Sequence, residues 1–328
     1  MMSNKFNYLI NKINVSSQVD SPFELLEINN FLSDNDFKEI ISAEEINIPS
    51  QDSDEDLLNY LFDNGYKCIN FPGSITSKSA YLKWHKNKNN THDYTNTSCE
   101  GFGMTFRLKK PKSPIIEELM KFLSSFEFQE ALAKKFNIDL DKVNYDQGIQ
   151  KYLDGYEISP HPDLREKALT FMVNINPSDS SESKEHHTHY MKFKDEYKYV
   201  QTFWEGNKDK NRCWVPWNWC ETVKKQSKNN SIVIFSPNNQ TLHAVKANYN
   251  HLSYQRTQLY GNLWYNDDVP EIKAITSNPI WEEFIIKEST QVADKSLRKG
   301  FSRVTSGFIK DSVIKVIGKK LYDKIKYY

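Results

Sequence analysis

Two histidines and an aspartate have the residue types and spacing of a metal site in this 328-residue chain. His161 and Asp163 lie two positions apart, and side chains two apart in an extended segment point the same way, so both can reach one ion. Pro162 between them fixes φ and limits the entropy lost when a metal binds. With His243 far downstream, they make the donor set of a facial triad. Such a triad binds non-haem Fe(II) on one face and leaves the opposite positions open for a cosubstrate and O₂.

An arginine on the strand that follows His243 adds a group that binds anions. In the segment 254–265, alternation puts four residues on one face: Arg256, Gln258, Tyr260 and Asn262. If that face is buried, the guanidinium needs an anionic partner, because an unpaired buried charge is strongly unfavourable. A guanidinium binds a carboxylate through two charge-assisted hydrogen bonds. We expect the partner of Arg256 to be the distal carboxylate of 2-oxoglutarate, whose keto-acid end chelates iron.

The elements that must position these side chains are mostly strands. Alternating apolar residues predict strands at about residues 104–108, 145–152, 167–176, 231–236, 241–246 and 254–265. Helical spacing of apolar residues precedes most of them, in a segment opened by Pro114 and in a second stretch from Phe128 to Phe136. Helices followed by strands indicate a mainly β fold with flanking helices, a sandwich or barrel and not alternating βαβ units.

The strand predicted over residues 167–176 has one apolar face and one polar face. The polar face carries Thr170, Met172, Asn174 and Asn176. It is too polar for an ordinary core, because buried polar groups cost free energy unless they are hydrogen-bonded. We therefore expect this face to form the wall of a cavity.

Five elements occur in the order typical of a known enzyme family: Phe23…Ile28-Asn-Asn-Phe-Leu32, Tyr152-x-x-Gly-Tyr…His161-x-Asp163, Thr170–Asn176, His243 and Arg256. On these elements the chain resembles the Fe(II)/2-oxoglutarate-dependent dioxygenase superfamily, in particular its prolyl-4-hydroxylase-like branch. The resemblance covers roughly residues 21–266. It implies a double-stranded β-helix core, the jelly-roll or cupin-like scaffold of that family.

The resemblance implies roles for residues at matching positions. The iron ligands would be His161, Asp163 and His243. The cosubstrate-binding group would be Arg256, Tyr152, Asn174, Gln258 and Thr257. Within that group, Asn174 stands where many relatives carry a tyrosine that helps to bind the far carboxylate, with Gln258 or Thr257 as substitutes. No catalytic side chain beyond the metal ligands is implied.

The implied reaction is a hydroxylation. The cofactors would be Fe(II), 2-oxoglutarate as cosubstrate and O₂, and the products would be a hydroxylated substrate, succinate and CO₂. In halogenating members of the superfamily a small residue replaces the aspartate and a halide binds iron, so Asp163 favours oxidation of a C–H bond. The alternatives are a catalytically silent jelly roll that binds or senses a metal or small molecule, and a binding module with a vestigial metal site. Arg256 argues against both, because a bare metal site does not need a buried guanidinium.

Composition divides the chain into three parts. Residues 1–20 are polar and predict a flexible amino terminus, and residues 21–270 form the predicted oxygenase domain. Within it, residues 178–230 are too long for a hairpin loop and are interpreted as an insertion that could act as a lid. Residues 271–328 predict a helical extension whose end is basic, with ten Lys and Arg against two Asp from Lys295 onwards. It would dock on the catalytic domain or a second subunit, or bind weakly to an anionic membrane.

Aromatic residues near the end of that insertion are candidates for the substrate site. Trp214, Trp217 and Trp219 either pack the insertion onto the barrel or face a ligand from the lid. His186, His187 and His189 are interpreted as surface or loop residues, with a second metal site as the alternative. His85, His92 and His251 are interpreted as isolated surface residues. The polar stretch 78–100 predicts a long loop that supplies the opposite wall.

Composition limits the remaining function classes. Lys+Arg 43 balance Asp+Glu 43, so no global field favours nucleic acid or membrane. No apolar run approaches the roughly 18 residues of a membrane span or a signal peptide's core, and we expect a cytoplasmic protein. Four cysteines without CxxC spacing predict reduced thiols. The expected partner is a small-molecule or peptidyl substrate.

Overall fold

The computed structural model describes residues 5–71, 73–87, 103–207 and 213–266, which form a mainly antiparallel β fold with flanking helices. The predicted fold class is confirmed at this level. The α-helices are α1 (Tyr8–Val15), α2 (Asp34–Ser42), α3 (Asp54–Asp63), α4 (Lys78–Lys86), α5 (Pro114–Leu123), α6 (Phe126–Lys135) and α7 (Tyr199–Gly206). The strands are β1 (Leu26–Asn29), β2 (Tyr66–Cys68), β3 (Thr105–Leu108), β4 (Val143–Tyr152), β5 (Glu157–His161), β6 (Lys167–Asn174), β7 (Thr188–Phe193), β8 (Cys220–Gln226), β9 (Ser231–Phe235), β10 (His243–Lys246) and β11 (Arg256–Tyr265).

Two antiparallel sheets hold the strands. The larger sheet has the order β1-β9-β6-β11-β4-β3-β2, and the smaller sheet has the order β5-β10-β7-β8. In the larger sheet, Arg256 at the start of β11 lies opposite Tyr152 at the end of β4. In the smaller sheet, His243 at the start of β10 lies opposite His161 at the end of β5. The register of each sheet therefore brings together residues that are far apart in sequence.

Helices α5 and α6 begin with clear sequence signals and pack on the larger sheet. Pro114 occupies the first turn of α5, where its missing N–H costs nothing, and Ser125 caps α6 by accepting from the backbone N–H of Phe128. The ring of Phe128 lies 5.9 Å from that of Phe171 in β6. Because Phe171 and Thr170 point to opposite faces, the helices bury the apolar face of β6 and leave its polar face free.

The amino-terminal segment contains a helix. Residues 8–15 form α1, so the prediction of flexibility over residues 1–20 is wrong there. Phe6, Leu9 and Ile13 recur at helical spacing and are fully buried. The ring of Phe6 lies 5.9 Å from that of Phe122 in α5. A narrow apolar stripe in a polar segment is enough to dock this helix on the core.

The stretch 178–230 is not an insertion outside the sheets. It supplies α7 together with two strands of the smaller sheet: β7, which pairs with β10, and β8, which pairs with β7. Strand β8 escaped prediction because it is a largely exposed edge strand, and edge strands carry charges that obscure apolar alternation. The predicted loop 78–100 likewise begins with α4. Its remainder from residue 88, and the predicted extension 271–328, lie outside the described residues.

Two further predictions concern thiols and membranes. Cys68, Cys213 and Cys220 are free, in agreement with the predicted reduced state, whereas Cys99 lies outside the described residues. In the part of the chain that the structure describes, no helix combines the length and apolar character needed to cross a membrane.

A buried lysine on the helix-facing side of β4 gives a testable pH dependence. Lys151 Nζ donates to the Ile46 carbonyl at 2.8 Å and to Thr257 Oγ1 at 2.9 Å. Burial lowers the pKa of Lys151 from 10.5 to about 7. Between those values the unfolded chain holds this proton and the folded chain does not, so this group makes stability rise with pH.

We therefore expect Lys151→Met to flatten the pH dependence of stability between pH 7 and pH 10. The difference in slope from wild type should be at most about 1.4 kcal/mol per pH unit, the value for one proton. Urea unfolding at several pH values measures it. Lys134→Met, at a side chain that is 71% exposed in α6, is the control. Parallel profiles for wild type and Lys151→Met would contradict the prediction.

Candidate metal centre and cosubstrate pocket

The three predicted metal ligands lie together, and all are buried. His161 ends β5, His243 begins β10, and Asp163 lies in the turn after β5 with a positive φ of 72°. Aspartate tolerates this left-handed conformation better than most residues. The Nε2 atoms of His161 and His243 lie 3.6 and 3.8 Å from the two carboxylate oxygens of Asp163. All three ligand atoms fall within 4.8 Å of one another.

Backbone carbonyls fix both imidazoles in the tautomer that a metal requires. His161 Nδ1 lies 2.9 Å from the Ser159 carbonyl, and His243 Nδ1 lies 2.9 Å from the Thr241 carbonyl. Since a carbonyl only accepts, each Nδ1 must carry a proton and each Nε2 presents its lone pair to the Asp163 side. Burial also lowers the pKa of His243 to about 3, which keeps this ring neutral.

Asp163 is held by two residues that the sequence did not single out as metal-site residues. Lys167 Nζ donates to Oδ1 of Asp163 at 2.7 Å, and Thr170 Oγ1 lies 3.0 Å from Oδ2. Burial alone would raise the pKa of Asp163, but the charge of Lys167 opposes burial, and this pKa lies well below its ordinary value. The carboxylate is therefore ionised and ready to bind a cation. No local pattern marks Lys167, because only the path of the turn between β5 and β6 brings it to Asp163.

These residues fit Fe(II). Two imidazole nitrogens and one ionised carboxylate are the donors of a facial triad, which needs open positions beside it. A cavity of about 410 Å³ adjoins the three ligands and is lined by both sheets. Its volume is within the range of small-molecule sites.

Arg256 lies in the same cavity and lacks a carboxylate partner among the described residues. Its side chain is 1% exposed, and its Nη2 donates to Thr188 Oγ1 at 2.9 Å. Its Nη1 has no hydrogen-bond partner within the described part of the chain. The guanidinium lies over the Tyr152 ring, 4.5 Å from its centroid. Burial lowers the pKa of Arg256, and the charged form is expensive to keep there without an anion.

Neutral groups surround this guanidinium. Tyr249 accepts the backbone N–H of Arg256, and His186 packs against the Tyr249 ring at 4.8 Å. Burial, with the charge of Arg256 second, lowers the pKa of His186 to about 2 and that of His187 to about 4. These two histidines lie in the connection before β7, as a loop prediction requires, but both are buried, so a surface position for them is wrong. An unpaired cation enclosed by neutral rings is suited to an anionic ligand.

The other predicted cosubstrate residues divide between the cavity and its surroundings. Tyr152 and Gln258 line the cavity. Asn174 does not: it accepts from Gln258 Nε2 at 2.8 Å and donates to two backbone carbonyls, so it can act on the cavity only through Gln258. Thr257 points to the opposite face, where it bonds Lys151. A role for Thr257 in contacting the cosubstrate is therefore wrong, because neighbouring residues of a strand alternate between faces.

Of the three candidate tryptophans, the cavity receives Trp214. Trp217 instead donates from Nε1 to Glu157 Oε1 at 2.8 Å, and Trp219 stacks on Tyr197 with ring centroids 5.0 Å apart. Both pack with the apolar cluster formed by α7 and the smaller sheet. Trp217 and Trp219 therefore pack the segment onto the smaller sheet. Trp214 is the one of the three that can face a ligand in the cavity.

Asp54, His85 and His251 form a second group of potential metal ligands. The ring nitrogens of both histidines are already in hydrogen bonds. The backbone N–H of Asp154 donates to His251 Nδ1 at 2.9 Å, so His251 Nε2 carries a proton and donates to Asp54 at 2.7 Å. His85 lies between the carboxylates of Asp54 and Asp154, at 2.6 and 2.8 Å. This group is a hydrogen-bond network. The prediction that His85 and His251 are isolated surface residues is therefore wrong.

Comparison with known proteins gives structural similarity alone. No protein-family model and no curated protein match the chain. Similar solved structures include a prolyl-4-hydroxylase from Pseudomonas putida, with 8% identity, coverage of 80% of this chain and 99% of that chain, and a TM-score of 0.37. They also include a prolyl hydroxylase from Trichoplax adhaerens in complex with a hypoxia inducible factor peptide fragment, with 13% identity, 79% and 89% coverage, and a TM-score of 0.38.

A third similar structure is an oxidoreductase of the 2OG-Fe(II) oxygenase family from Burkholderia pseudomallei, with 9% identity, 69% and 97% coverage, and a TM-score of 0.27. These structural neighbours are prolyl hydroxylases and 2-oxoglutarate Fe(II) oxygenases, the superfamily and branch that the sequence motifs resemble. Identities and TM-scores this low carry no argument about the reaction, so function is inferred from the site itself.

Proposed function

We propose that this protein is a non-haem Fe(II)- and 2-oxoglutarate-dependent dioxygenase that hydroxylates a C–H bond of its substrate. The observation that carries the proposal is the presence of two complementary groups in one cavity. One is a buried set of two imidazoles and a carboxylate, and the other is the buried Arg256, whose Nη1 has no partner among the described residues. The first group suits Fe(II), and the second suits the far carboxylate of a cosubstrate that chelates it.

His161, Asp163 and His243 would hold the metal. When iron, cosubstrate and O₂ are bound, they supply the oxidation: one oxygen atom enters succinate as 2-oxoglutarate loses CO₂, and the other converts a substrate C–H bond to C–OH. The protein's own part is to orient these groups. The Ser159 and Thr241 carbonyls fix the imidazole tautomers at 2.9 Å each.

Arg256 would bind the distal carboxylate through Nη1, while Nη2 stays fixed by Thr188 at 2.9 Å. Tyr152 supports the guanidinium from one face, and Gln258 lines the cavity on the same strand. A carboxylate there would satisfy both the unmade hydrogen bond and the buried charge, which are costly without it. The cosubstrate would thus bind more tightly at this position than a neutral ligand of the same shape.

We further propose that the two sheets form a double-stranded β-helix within an oxygenase unit spanning residues 21–270. The metal ligands come from β5, β10 and the turn after β5, which belong to the smaller sheet, and Arg256 comes from the larger sheet. A cavity between two such sheets is the usual ligand position in barrel-like jelly rolls.

Anaerobic addition of Fe(II) and 2-oxoglutarate tests the proposal. It should produce a visible metal-to-ligand charge-transfer band, and admission of O₂ should then give succinate even without substrate, at a slow uncoupled rate. A band without any succinate would favour the silent binding or sensing alternative. Absence of both would reject the oxygenase.

A further inference from the structure

The cavity extends well beyond the region that a cosubstrate needs. On β11 the inward-facing residues run from Arg256 to Asn262, a distance of six residue steps or about 20 Å along a strand. A short dicarboxylate joining the metal to Arg256 occupies one end of that length. The other end is lined by Arg107, Asp146 and Asn262. This second end borders the metal ligands and is the region left for the substrate.

An ion pair forms the floor of this second end. Arg107 Nη1 lies 3.0 Å from Asp146 Oδ1, and Nη2 lies 3.3 Å from Oδ2, so the contact has two prongs. The arginine stem reaches Asp146 by crossing β4 over Gly148, where a Cβ atom would lie 3.1 Å from Arg107 Cδ. The missing side chain of Gly148 therefore makes room for an ion pair that lies flat along the cavity wall.

Both members of this pair keep unused hydrogen-bonding capacity. Arg107 Nε has no partner among the described residues, and the Asp146 carboxylate is 40% exposed. A lone anion on Arg107 would meet the negative charge of Asp146, and a lone cation on Asp146 would meet Arg107. A ligand with both charges close together avoids either repulsion and closes a ring of four alternating charges.

Asn262 adds an acceptor beside Asp146. Thr170 Oγ1 lies 3.0 Å from Asp163 Oδ2 and 3.1 Å from Asn262 Oδ1, while Asn262 Nδ2 has no partner in the described chain. One hydroxyl proton cannot serve two acceptors, and the carboxylate can only accept, so we assign the Asn262 amide in the flipped orientation, with its nitrogen donating to Thr170. In that orientation the carbonyl oxygen of Asn262 takes the fully buried position of Nδ2, which has no partner in the described chain. A buried acceptor of this kind calls for a donor on the ligand.

The register of the larger sheet puts the two acceptors side by side. Asn262 on β11 lies directly opposite Asp146 on β4. Side chains at such positions start about 5 Å apart, so one ammonium group with three N–H donors can reach both. Arg107 lies on the adjoining strand β3 and offers its guanidinium to a carboxylate.

We propose that the substrate is a free α-amino acid. Arg107 binds its carboxylate, and Asp146 and Asn262 bind its ammonium group. This inference rests on the proposed oxygenase function and adds its substrate class. The bonds from Asn262 through Thr170 to Asp163, 3.1 and 3.0 Å long, place the ammonium site next to a metal ligand. The side chain of the bound amino acid then has a short path to the metal.

Binding to the loaded protein tests this inference without turnover. The twenty common L-amino acids are titrated one by one into anaerobic protein that carries Mn(II) and 2-oxoglutarate. Tryptophan fluorescence reports binding, because Trp214 and Trp264 line the cavity. For the tightest ligand, the N-acetyl derivative and the carboxamide are titrated in parallel. Each should bind at least ten-fold more weakly, since each removes one of the two charges.

Two variants assign the charges to residues. Asp146→Asn should bind the free amino acid and its N-acetyl derivative with equal affinity. Arg107→Gln should bind the free amino acid and its carboxamide with equal affinity. Both should keep the Fe(II)–2-oxoglutarate charge-transfer band. Glu221→Gln, in an exposed pair with Lys192 at 3.0 Å, is the control and should leave every affinity unchanged.

The outcomes separate this inference from the proposed function. If no free amino acid binds, or the derivatives bind as tightly as the free form, the amino-acid assignment is wrong and a peptide or another small molecule takes its place. Unchanged discrimination in both variants would also overturn it. Loss of the charge-transfer band in the wild-type protein would instead count against the oxygenase.

Discussion

His161→Ala is expected to lower the affinity for Fe(II) by more than about 100-fold, because even residues that merely orient metal ligands contribute 10- to 100-fold. The imidazole removed is one of three donors, and its Nε2 lone pair has no substitute nearby in the described chain. The charge-transfer band with 2-oxoglutarate should vanish with the metal, and succinate formation should fall to background. Anaerobic Fe(II) titration measures the loss directly. This position is preferable to Asp163, whose removal would also leave the Lys167 charge buried without its partner at 2.7 Å.

His189→Ala is the matched control for that substitution. His189 lies in β7 of the same small sheet, where its Nδ1 contacts Thr222 Oγ1 at 2.9 Å and its ring packs against Trp217. The variant should bind Fe(II) within about three-fold of the wild type, because the side chain lies outside the cavity. Iron affinity of His161→Ala within the same range would show that this triad is not the iron site.

The grouping of His161 with Asp163 could be predicted from sequence because its signal is local, whereas the distant His243 was joined to them by the order of the family's motifs. His161 and Asp163 share one extended segment, and Arg256 and Asn262 alternate along one strand, so period-two reasoning was sufficient. Strands β6 and β9 could also be predicted from local sequence, because both are buried on each face and carry β-branched and aromatic residues.

The rest of the site depends on pairings that one strand does not reveal. Asp146 and Asn262 become neighbours through the register of β4 and β11, and Arg107 joins them across Gly148. Lys167 pairs with Asp163 through a turn whose positive φ no motif encodes. Such contacts are long-range, and sequence patterns of apolar residues carry no information about which polar residues will meet.

Strands β5, β7 and β8 were missed for a different reason. Strand β5 contains Pro160 and two polar residues before His161, and β8 is a charged edge strand. Proline and charge both weaken the alternation by which strands are recognised. The smaller sheet, which carries His161 and His243, was therefore the least predictable part of the fold.

Arg256→Met is expected to weaken 2-oxoglutarate binding by roughly 10- to 150-fold, because the charge-assisted hydrogen bond from Nη1, worth about 1.5–3 kcal/mol, is lost. The affinity for Fe(II) should stay within about three-fold of the wild type, since Arg256 is no metal ligand. Isothermal titration of 2-oxoglutarate into the Mn(II)-loaded protein measures the first quantity. The affinity of Arg256→Lys for 2-oxoglutarate should fall between those of the wild type and Arg256→Met, because an ammonium keeps the charge but not the planar geometry of the guanidinium.

Arg256→Met should weaken 2-oxoglutarate binding but should not lower the stability of the protein without cosubstrate. Without cosubstrate, the wild type keeps a buried cation whose Nη1 has no partner among the described residues, so Arg256→Met should unfold at an equal or higher temperature. Added 2-oxoglutarate should then raise the melting temperature of the metal-loaded wild type and leave that of the variant nearly unchanged. A variant that is strongly destabilised but still stabilised by 2-oxoglutarate would show that Arg256 has a structural partner and that the cosubstrate carboxylate binds elsewhere.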